Sequence, residues 1–316
     1  MTDNIMTDNI LDNIIPPFYN TTFNNNENKI FFLNLFGITS EQSKEILENM
    51  RNNSLKILKE IPDKTMNKLT HKIWLTTDDN GYMPTEHMIN LLRKNYTELK
   101  DFKHYLWCNN NIIGNKIITD LCITDLDIQL RNPVEEFKNY IGYKIFNIFL
   151  NHKLFANACD ILRIQVVNKY GGLYSDFGWL MTKYISEYLN NFDIMFNGEN
   201  APWCKGVISH NIIYSNKVNH IIFTKMLYYL ENKEFLNTFN SELKLCKMIE
   251  IVGPIFLMAI IPALCKNDKL ILLTHDKYTF DNYHTSSHIT GLFGSSIINN
   301  KIDDIHTELL EYIKNI

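Results

Sequence analysis

The sequence predicts an α/β protein, and three observations support this prediction. The stretches 69–77 (LTHKIWLTT) and 103–110 (KHYLWCNN) are short apolar segments typical of strands, and the helix-patterned TEHMINLLRKNY lies between them. A strand-helix-strand order favours parallel pairing, with helices on the faces of the sheet. The stretch 133–170 is helical in pattern, Gly171-Gly172 ends it, and LYSDFGWLM follows as a further strand.

The rest of the chain is organised around this unit. Residues 1–28 are polar and rich in asparagine, so we expect a mobile N-terminal tail. Residues 29–316 are expected to form one domain, with N-terminal helices at about 39–61 and a core at about 69–300. FDIMFNGE and KLILLTHDKY predict further strands. The apolar stretch 251–265 is too short to span a bilayer and predicts a buried helix.

Composition excludes several classes of function. The net charge of −4 and a pI near 6.2 give no electrostatic case for binding nucleic acid or an anionic membrane. Six scattered cysteines without a CxxC pair predict reduced thiols in a cytosol-like compartment. The N-terminus lacks the basic start and apolar core of a signal peptide. We expect a soluble cytoplasmic protein without a membrane span, and secretion as an effector stays open.

The tripeptide Asp176-Phe177-Gly178 spells the DFG motif of protein kinases. A kinase also needs a glycine-rich phosphate loop near its start and a catalytic loop with Asp and Asn upstream of DFG. No G-x-G-x-x-G occurs in the chain, and the segment before Asp176 reads as a helix, CDILRIQVVNKY. The kinase interpretation is therefore rejected.

A longer pattern surrounds the same aspartate. The segment ANACDILRIQVVNKYGGLYSD resembles the signature of the glycosyltransferases with a DXD sugar-binding motif, which include initiating mannosyltransferases and the glucosyltransferase domains of large clostridial toxins. The matching residues are Asp160, Ile161, Arg163, Tyr170, Gly171, Gly172, Tyr174 and Asp176. The resemblance implies the glycosyltransferase A fold, a Rossmann-like α/β domain with flanking and inserted helices.

The chemistry of such an enzyme explains why these residue types would be grouped. A nucleotide-sugar donor has a diphosphate, whose charge a divalent cation and cationic side chains must neutralise. Asp176 at the carboxyl end of a strand would reach that cation or the ribose. Asp160 and Arg163 lie three residues apart on one helix face, and the resemblance assigns this pair to the donor sugar. Tyr174 falls in the same donor-binding set by resemblance.

Three weaker matches extend the predicted site. Trp74 in THKIWL occupies the position of the family's base-stacking tryptophan. Gly253 in IEIVGPIFL resembles the glycine of a loop beside the donor. His288 in SSHITGLFG could supply an imidazole to the cation. Glu199, Asn200 and Asn211 are further candidates for sugar or acceptor contacts.

Gly178 is the point of departure from the family, because it stands where the second aspartate of DXD is expected. Three outcomes are open. In the first, Asp176 with His288 (or His284 in its place), water and the diphosphate suffices for Mn²⁺ or Mg²⁺. In the second, a carboxylate from elsewhere, such as Asp276 or Asp281, replaces the missing one. In the third, the site binds nucleotide without turnover.

The predicted function is a hexosyltransferase that uses a UDP- or GDP-hexose, is retaining and depends on Mn²⁺ or Mg²⁺, with a glycan or protein acceptor. Two alternatives remain at this point. One is a catalytically weak nucleotide-sugar or partner-binding protein. The other is a toxin-like effector that glycosylates a host protein.

Overall fold

The computed structural model describes most of the chain. The described residues are 30, 33–57, 60, 65–77, 81–179, 189–198, 208–233, 254–265 and 268–274, with 307–308, 311–312 and 314–315 near the C-terminus. The predicted mobile tail at 1–28 lies outside them, and so do the following predicted site residues: Glu199, Asn200, Gly253, Asp276, Asp281, His284 and His288.

The described residues alternate between helices and strands along the chain. The helices are α1 (Ser40–Ile57), α2 (Glu86–Glu98), α3 (Asn111–Leu121), α4 (Pro133–Phe137), α5 (Tyr143–Asn151), α6 (Phe155–Tyr170), α7 (Ile221–Leu230) and α8 (Pro254–Leu264). The strands are β1 (Leu69–Trp74), β2 (Lys103–Cys108), β3 (Ile128–Arg131), β4 (Gly172–Ser175), β5 (Ile194–Gly198), β6 (Ile208–Ser215) and β7 (Leu270–Thr274).

These strands form one sheet in the order β3-β2-β1-β4-β6-β5-β7. The pairs β2–β3, β1–β2, β1–β4 and β5–β7 are parallel, and β6 runs antiparallel to both of its neighbours, β4 and β5. The carboxyl ends of β1 and β4 therefore lie at the same edge of the sheet as the beginning of β6. Ligands of α/β sheets bind at this edge.

Capping side chains mark the starts of α1, α2 and α3, and two glycines mark the end of α6. Thr39 and Gln42 form a reciprocal capping box at α1, with each side chain accepting from the other residue's backbone N–H at 3.2 Å and 2.9 Å. Thr85 caps α2 and Asn110 caps α3 through the same kind of bond. At the end of α6, Gly171 and Gly172 both take positive φ, and a Cβ on Gly172 would lie 2.4 Å from the carbonyl oxygen of Leu69.

Helices cover both faces of the sheet. Because side chains alternate along a strand, Tyr105 and Trp107 of β2 pack with α5, α6 and α7, while Leu106 packs with α2 and α3. Helix α8 is buried along 256–261, as its apolar sequence predicts. No helix in the described part of the chain is both long and apolar enough to cross a membrane.

The predicted α/β class, with a Rossmann-like mixed sheet and flanking helices, is confirmed. Helix α6 ends at Tyr170, as the predicted helical stretch 133–170 does. The strand predicted from LYSDFGWLM is wrong in length, because β4 ends at Ser175. A turn follows at once, closed by a hydrogen bond from the Trp179 N–H to the Asp176 carbonyl at 3.0 Å. Asp176 is therefore the first residue after the strand.

Candidate functional site

Helix α6 presents Asp160 and Arg163 toward the carboxyl edge of the sheet. Their side chains form an ion pair in which Arg163 Nη2 lies 2.8 Å from Asp160 Oδ1. Both side chains are largely buried, so the pair is not an ordinary surface ion pair. The helical spacing that the sequence shows is thus sufficient to bring the two together.

Asp176 joins this pair from the end of β4. Arg163 Nη2 lies 3.5 Å from Asp176 Oδ1, and the Tyr174 hydroxyl donates to the same oxygen at 2.5 Å. The guanidinium also lies over the Tyr174 ring, 5.3 Å from its centroid. Tyr174 lies in β4 and Asp176 is the first residue after it, and both side chains contact Arg163 on the α6 side of the sheet.

The turn that bears Asp176 is held from the opposite face by a lysine. Lys72 of β1 is 1% exposed, and its Nζ donates to the carbonyl oxygens of Asp176 at 3.0 Å and Trp179 at 2.9 Å. These two carbonyls belong to the first and last residues of the turn. A buried ammonium needs such acceptors, because desolvation without them costs several kcal/mol. Lys72 therefore fixes the backbone from which the Asp176 carboxylate projects.

An irregularity in the pairing of strand β6 brings Asn211 and His210 to this cluster. On the β5 side the register jumps from Phe196↔Ile213 to Asn197↔Ser209, so residues 210–212 form a bulge. Asn197 Nδ2 donates to Asn211 Oδ1 across it at 3.1 Å, and the Asn211 carbonyl accepts from the Asp176 N–H at 2.8 Å. The same bulge places His210 against Arg163, whose Nη1 donates to the His210 carbonyl at 3.1 Å.

Burial determines the charge state of the cluster. It raises the pKa of Asp160 to about 6, an effect that Arg163 opposes and Asp176 increases. Burial alone would lower the pKa of Arg163, but Asp176, Tyr174 and Asp160 together hold it above its usual value. Burial and the nearby guanidinium keep the pKa of His210 well below its usual range. At neutral pH Asp160 is therefore mainly a carboxylate, Arg163 a charged guanidinium and His210 a neutral imidazole.

Trp74 lies at the end of β1, beside the Asp176 turn. Its indole N–H donates to the Tyr82 carbonyl at 2.7 Å, and its ring lies 5.1 Å from that of Phe177, centroid to centroid. The indole is half-buried, which leaves part of its surface exposed at the edge where α/β proteins bind ligands. That Trp74 stacks on a nucleobase stays a prediction.

The described side chains show which metal ligands the predicted site provides. No group of three or more His, Cys, Asp or Glu side chains that could hold a metal ion occurs among the described residues. Asp176 supplies one carboxylate there, with one oxygen engaged by Tyr174. Mg²⁺ commonly keeps water and takes one or two carboxylates together with substrate phosphates. The described residues fit a cation completed by a bound diphosphate, and they do not form an all-protein metal site.

Gly178 has no steric reason to be glycine. No atom of the described residues lies within 4 Å of a Cβ built at this position, and its φ is not positive. A longer side chain has room there, so the loss of the second carboxylate is a chemical difference from DXD that the backbone does not require.

The structure brings together four of the predicted residues, Asp160, Arg163, Tyr174 and Asp176, with Trp74 next to them. Gly253 and His288 stay predictions. Sequence reasoning missed Lys72 and His210. A signal for Lys72 was present, since a lysine inside an otherwise apolar strand is almost never buried without partners.

Comparisons with known proteins add a likeness in fold. No family model matches the sequence, and no curated protein matches it. Among solved structures the chain is similar to a "PaToxG Glycosyltransferase", with 15% identity and a TM-score of 0.47 over 86% of this chain and 87% of that one. It is also similar to the ligand-free glycosyltransferase domain from the YGT toxin, with 10% identity and a TM-score of 0.44 over 69% and 81%. Likeness at this level says nothing about activity.

Proposed function

We propose that the chain is a glycosyltransferase that moves a hexose from a UDP- or GDP-sugar to a hydroxyl of a glycan or protein acceptor. The observation that supports this is the convergence of Asp160, Arg163 and Asp176 at the carboxyl edge of the sheet. Two carboxylates share one guanidinium there in a largely buried setting. Such an arrangement is costly for stability and is typical of a binding site.

We assign the roles from the sequence resemblance, together with the contacts of the residues that the structure describes. Asp160 accepts hydrogen bonds from sugar hydroxyls, and Arg163 holds Asp160 while supporting the sugar or diphosphate. Asp176, fixed by Tyr174 and Lys72, faces the ribose or a cation. Trp74 stacks on the base. By resemblance, Gly253 would lie in a loop beside the donor and His288 would be a further cation ligand; both lie outside the described residues.

Charge balance favours dependence on Mn²⁺ or Mg²⁺. Asp160 and Asp176 contribute two negative charges, Arg163 one positive charge and Lys72 at most one, because burial lowers its pKa to about 7 while Asp176 opposes that shift. The described cluster thus has no excess positive charge to offer a diphosphate. A bound divalent cation would supply it and stabilise the leaving group.

We infer that transfer retains the anomeric configuration. The bond from the sugar C1 to the phosphate oxygen breaks, and a bond from C1 to the acceptor oxygen forms on the same face. The acceptor proton passes to the leaving phosphate, and the nucleoside diphosphate is released. Asp160 is committed to Arg163 at 2.8 Å, which disfavours a covalent sugar-enzyme intermediate on that carboxylate.

The test is turnover of UDP-glucose, UDP-N-acetylglucosamine and GDP-mannose with and without Mn²⁺, measured as released nucleoside diphosphate. We expect hydrolysis of at least one donor in the presence of Mn²⁺, reduced at least 100-fold in Asp176→Asn, because a charged group that acts in the transition state is lost. Lys138→Gln, an exposed change on another part of the surface, is the control.

If a donor binds but none is turned over, the result supports a nucleotide-sugar binding protein instead. That is the second candidate function, because Gly178 replaces the second carboxylate of DXD. No binding of any donor would reject both functions. The labelled product formed in a cell lysate would decide whether the acceptor is a host protein, as for a toxin-like effector.

A further inference from the structure

His210 is a buried histidine whose two ring nitrogens are in different situations. The residue is 8% exposed, and its Nδ1 lies 3.4 Å from Arg163 Nη1. A guanidinium can only donate, so Nδ1 is the acceptor of this contact. In a neutral imidazole the proton must then be on Nε2, which makes Nε2 a donor.

That donor has no hydrogen-bond partner among the described residues. The nearest anionic group is Asp160, whose Oδ1 lies 3.5 Å from Nε2, a contact that does not meet hydrogen-bond geometry. A buried N–H without a partner costs about 1–3 kcal/mol. Buried polar groups in folded proteins are nearly always satisfied, so an exception at a predicted site indicates a missing partner.

The backbone explains why the ring lies where it does. The bulge at 210–212 of β6 interrupts the register with β5 while β6 stays paired with β4. Bulges next to binding sites redirect side chains in this way. His210 is thereby placed beside the Asp160–Arg163 pair instead of continuing the regular alternation of the strand.

We propose that His210 Nε2–H and the Asp160 carboxylate together bind one hydroxyl of the donor hexose. A hydroxyl donates one hydrogen bond and accepts others, so it can donate to Asp160 and accept from His210 at the same time. Two groups 3.5 Å apart can both reach one oxygen at normal hydrogen-bond distance. This inference rests on the proposed function and makes His210 a determinant of sugar specificity.

The experiment compares UDP with UDP-glucose by calorimetry in the presence of Mn²⁺, or GDP with GDP-mannose if that donor is the one bound. In His210→Phe we expect sugar-nucleotide affinity to fall about tenfold, the value of one hydrogen bond, while affinity for the free diphosphate stays unchanged. His210→Gln keeps an N–H at about the reach of Nε2 and should recover most of the loss. His210→Asn, whose amide reaches only as far as Nδ1, should not.

The outcomes separate the two proposals. If the wild-type protein binds no nucleotide sugar, the proposed function fails and this inference fails with it. If the wild type binds but His210→Phe binds the sugar nucleotide equally well, only the inference fails. Equal losses for UDP and UDP-glucose would show that His210 has a merely structural role. A thermal melt of each variant identifies any that does not fold, and His210→Gln then decides.

Discussion

His71 in β1 and His210 in β6 are both buried and neutral, yet they differ in hydrogen bonding. His71 Nε2 lies 2.8 Å from the Gly171 carbonyl, and its Nδ1 accepts from the Trp107 indole at 3.1 Å. Both nitrogens are therefore satisfied within the protein. His210 has a long contact at Nδ1 and no described partner at Nε2.

The surroundings of the two rings differ in the same way. His71 packs against the rings of Tyr105, Trp107 and Tyr170, so its region is filled by aromatic side chains. His210 adjoins two carboxylates that share one guanidinium. A saturated network gives stability and a unique geometry, whereas an unsaturated charged cluster retains capacity for a ligand. Four predictions test this difference, in order of expected effect on stability.

Removing the shared cation should have the largest effect. Arg163→Met leaves Asp160 and Asp176 without a counter-charge in a largely buried site. We expect a loss of about 3–5 kcal/mol in the free energy of unfolding, measured by urea denaturation. Arg163→Lys restores the positive charge without the planar guanidinium, and it should recover part of the lost stability. A change below about 1 kcal/mol for Arg163→Met would show that the cluster is solvated.

The two histidines should respond unequally to the same substitution. His71→Phe removes the partners of the Trp107 N–H and the Gly171 carbonyl, and we expect a loss of about 2–4 kcal/mol. His210→Phe should cost less than about 1 kcal/mol, because its donor is already unsatisfied. Denaturation of both variants in parallel is the measurement. Equal losses would contradict the comparison.

Lowering the pH should destabilise the protein through His71, whose two ring nitrogens are both hydrogen-bonded. Burial lowers the pKa of His71 to about 4 from an ordinary 6.5, with the Gly171 bond opposing and Arg131 adding to the shift. Because the folded pKa is depressed, the stability from this group is present above pH 6.5 and is lost as pH falls toward 4. Between pH 7 and pH 5, wild type should lose about 2 kcal/mol more than His71→Phe. Identical pH profiles of the unfolding free energy would show that His71 titrates normally.

Gly178→Asp should have the smallest effect on stability, within about 0.5 kcal/mol, since the position is open. Because Gly178→Asp adds a carboxylate near Asp176, we expect this variant to bind UDP about tenfold more tightly in the presence of Mn²⁺. Gly178→Asn is the matched uncharged control. If both variants bind Mn²⁺ and UDP like wild type, Gly178 does not face the cation.

The sequence was most informative where contacts are local. The Asp160–Arg163 pair follows from helical spacing, and the end of α6 at Tyr170 follows from Gly171-Gly172, whereas the predicted helical stretch 133–170 is divided into α4, α5 and α6. The end of β4 was misplaced, because SDFGWLM is apolar enough to continue a strand. The turn at Asp176 is set instead by bonds from Lys72, which is distant in sequence.

The sequence by itself determined the α/β class, the helix that bears Asp160 and Arg163, and the position of Asp176 close to the carboxyl end of a strand. Only the tertiary structure decided that Lys72 holds the Asp176 turn and that His210 adjoins Asp160. The first depends on the pairing of β1 with β4 and the second on a bulge in β6, and although a lysine in an apolar strand signals a buried partner, the sequence does not say which partner that is. Helical contacts are fixed by spacing, whereas a sheet brings residues together only when its register is chosen by the whole core.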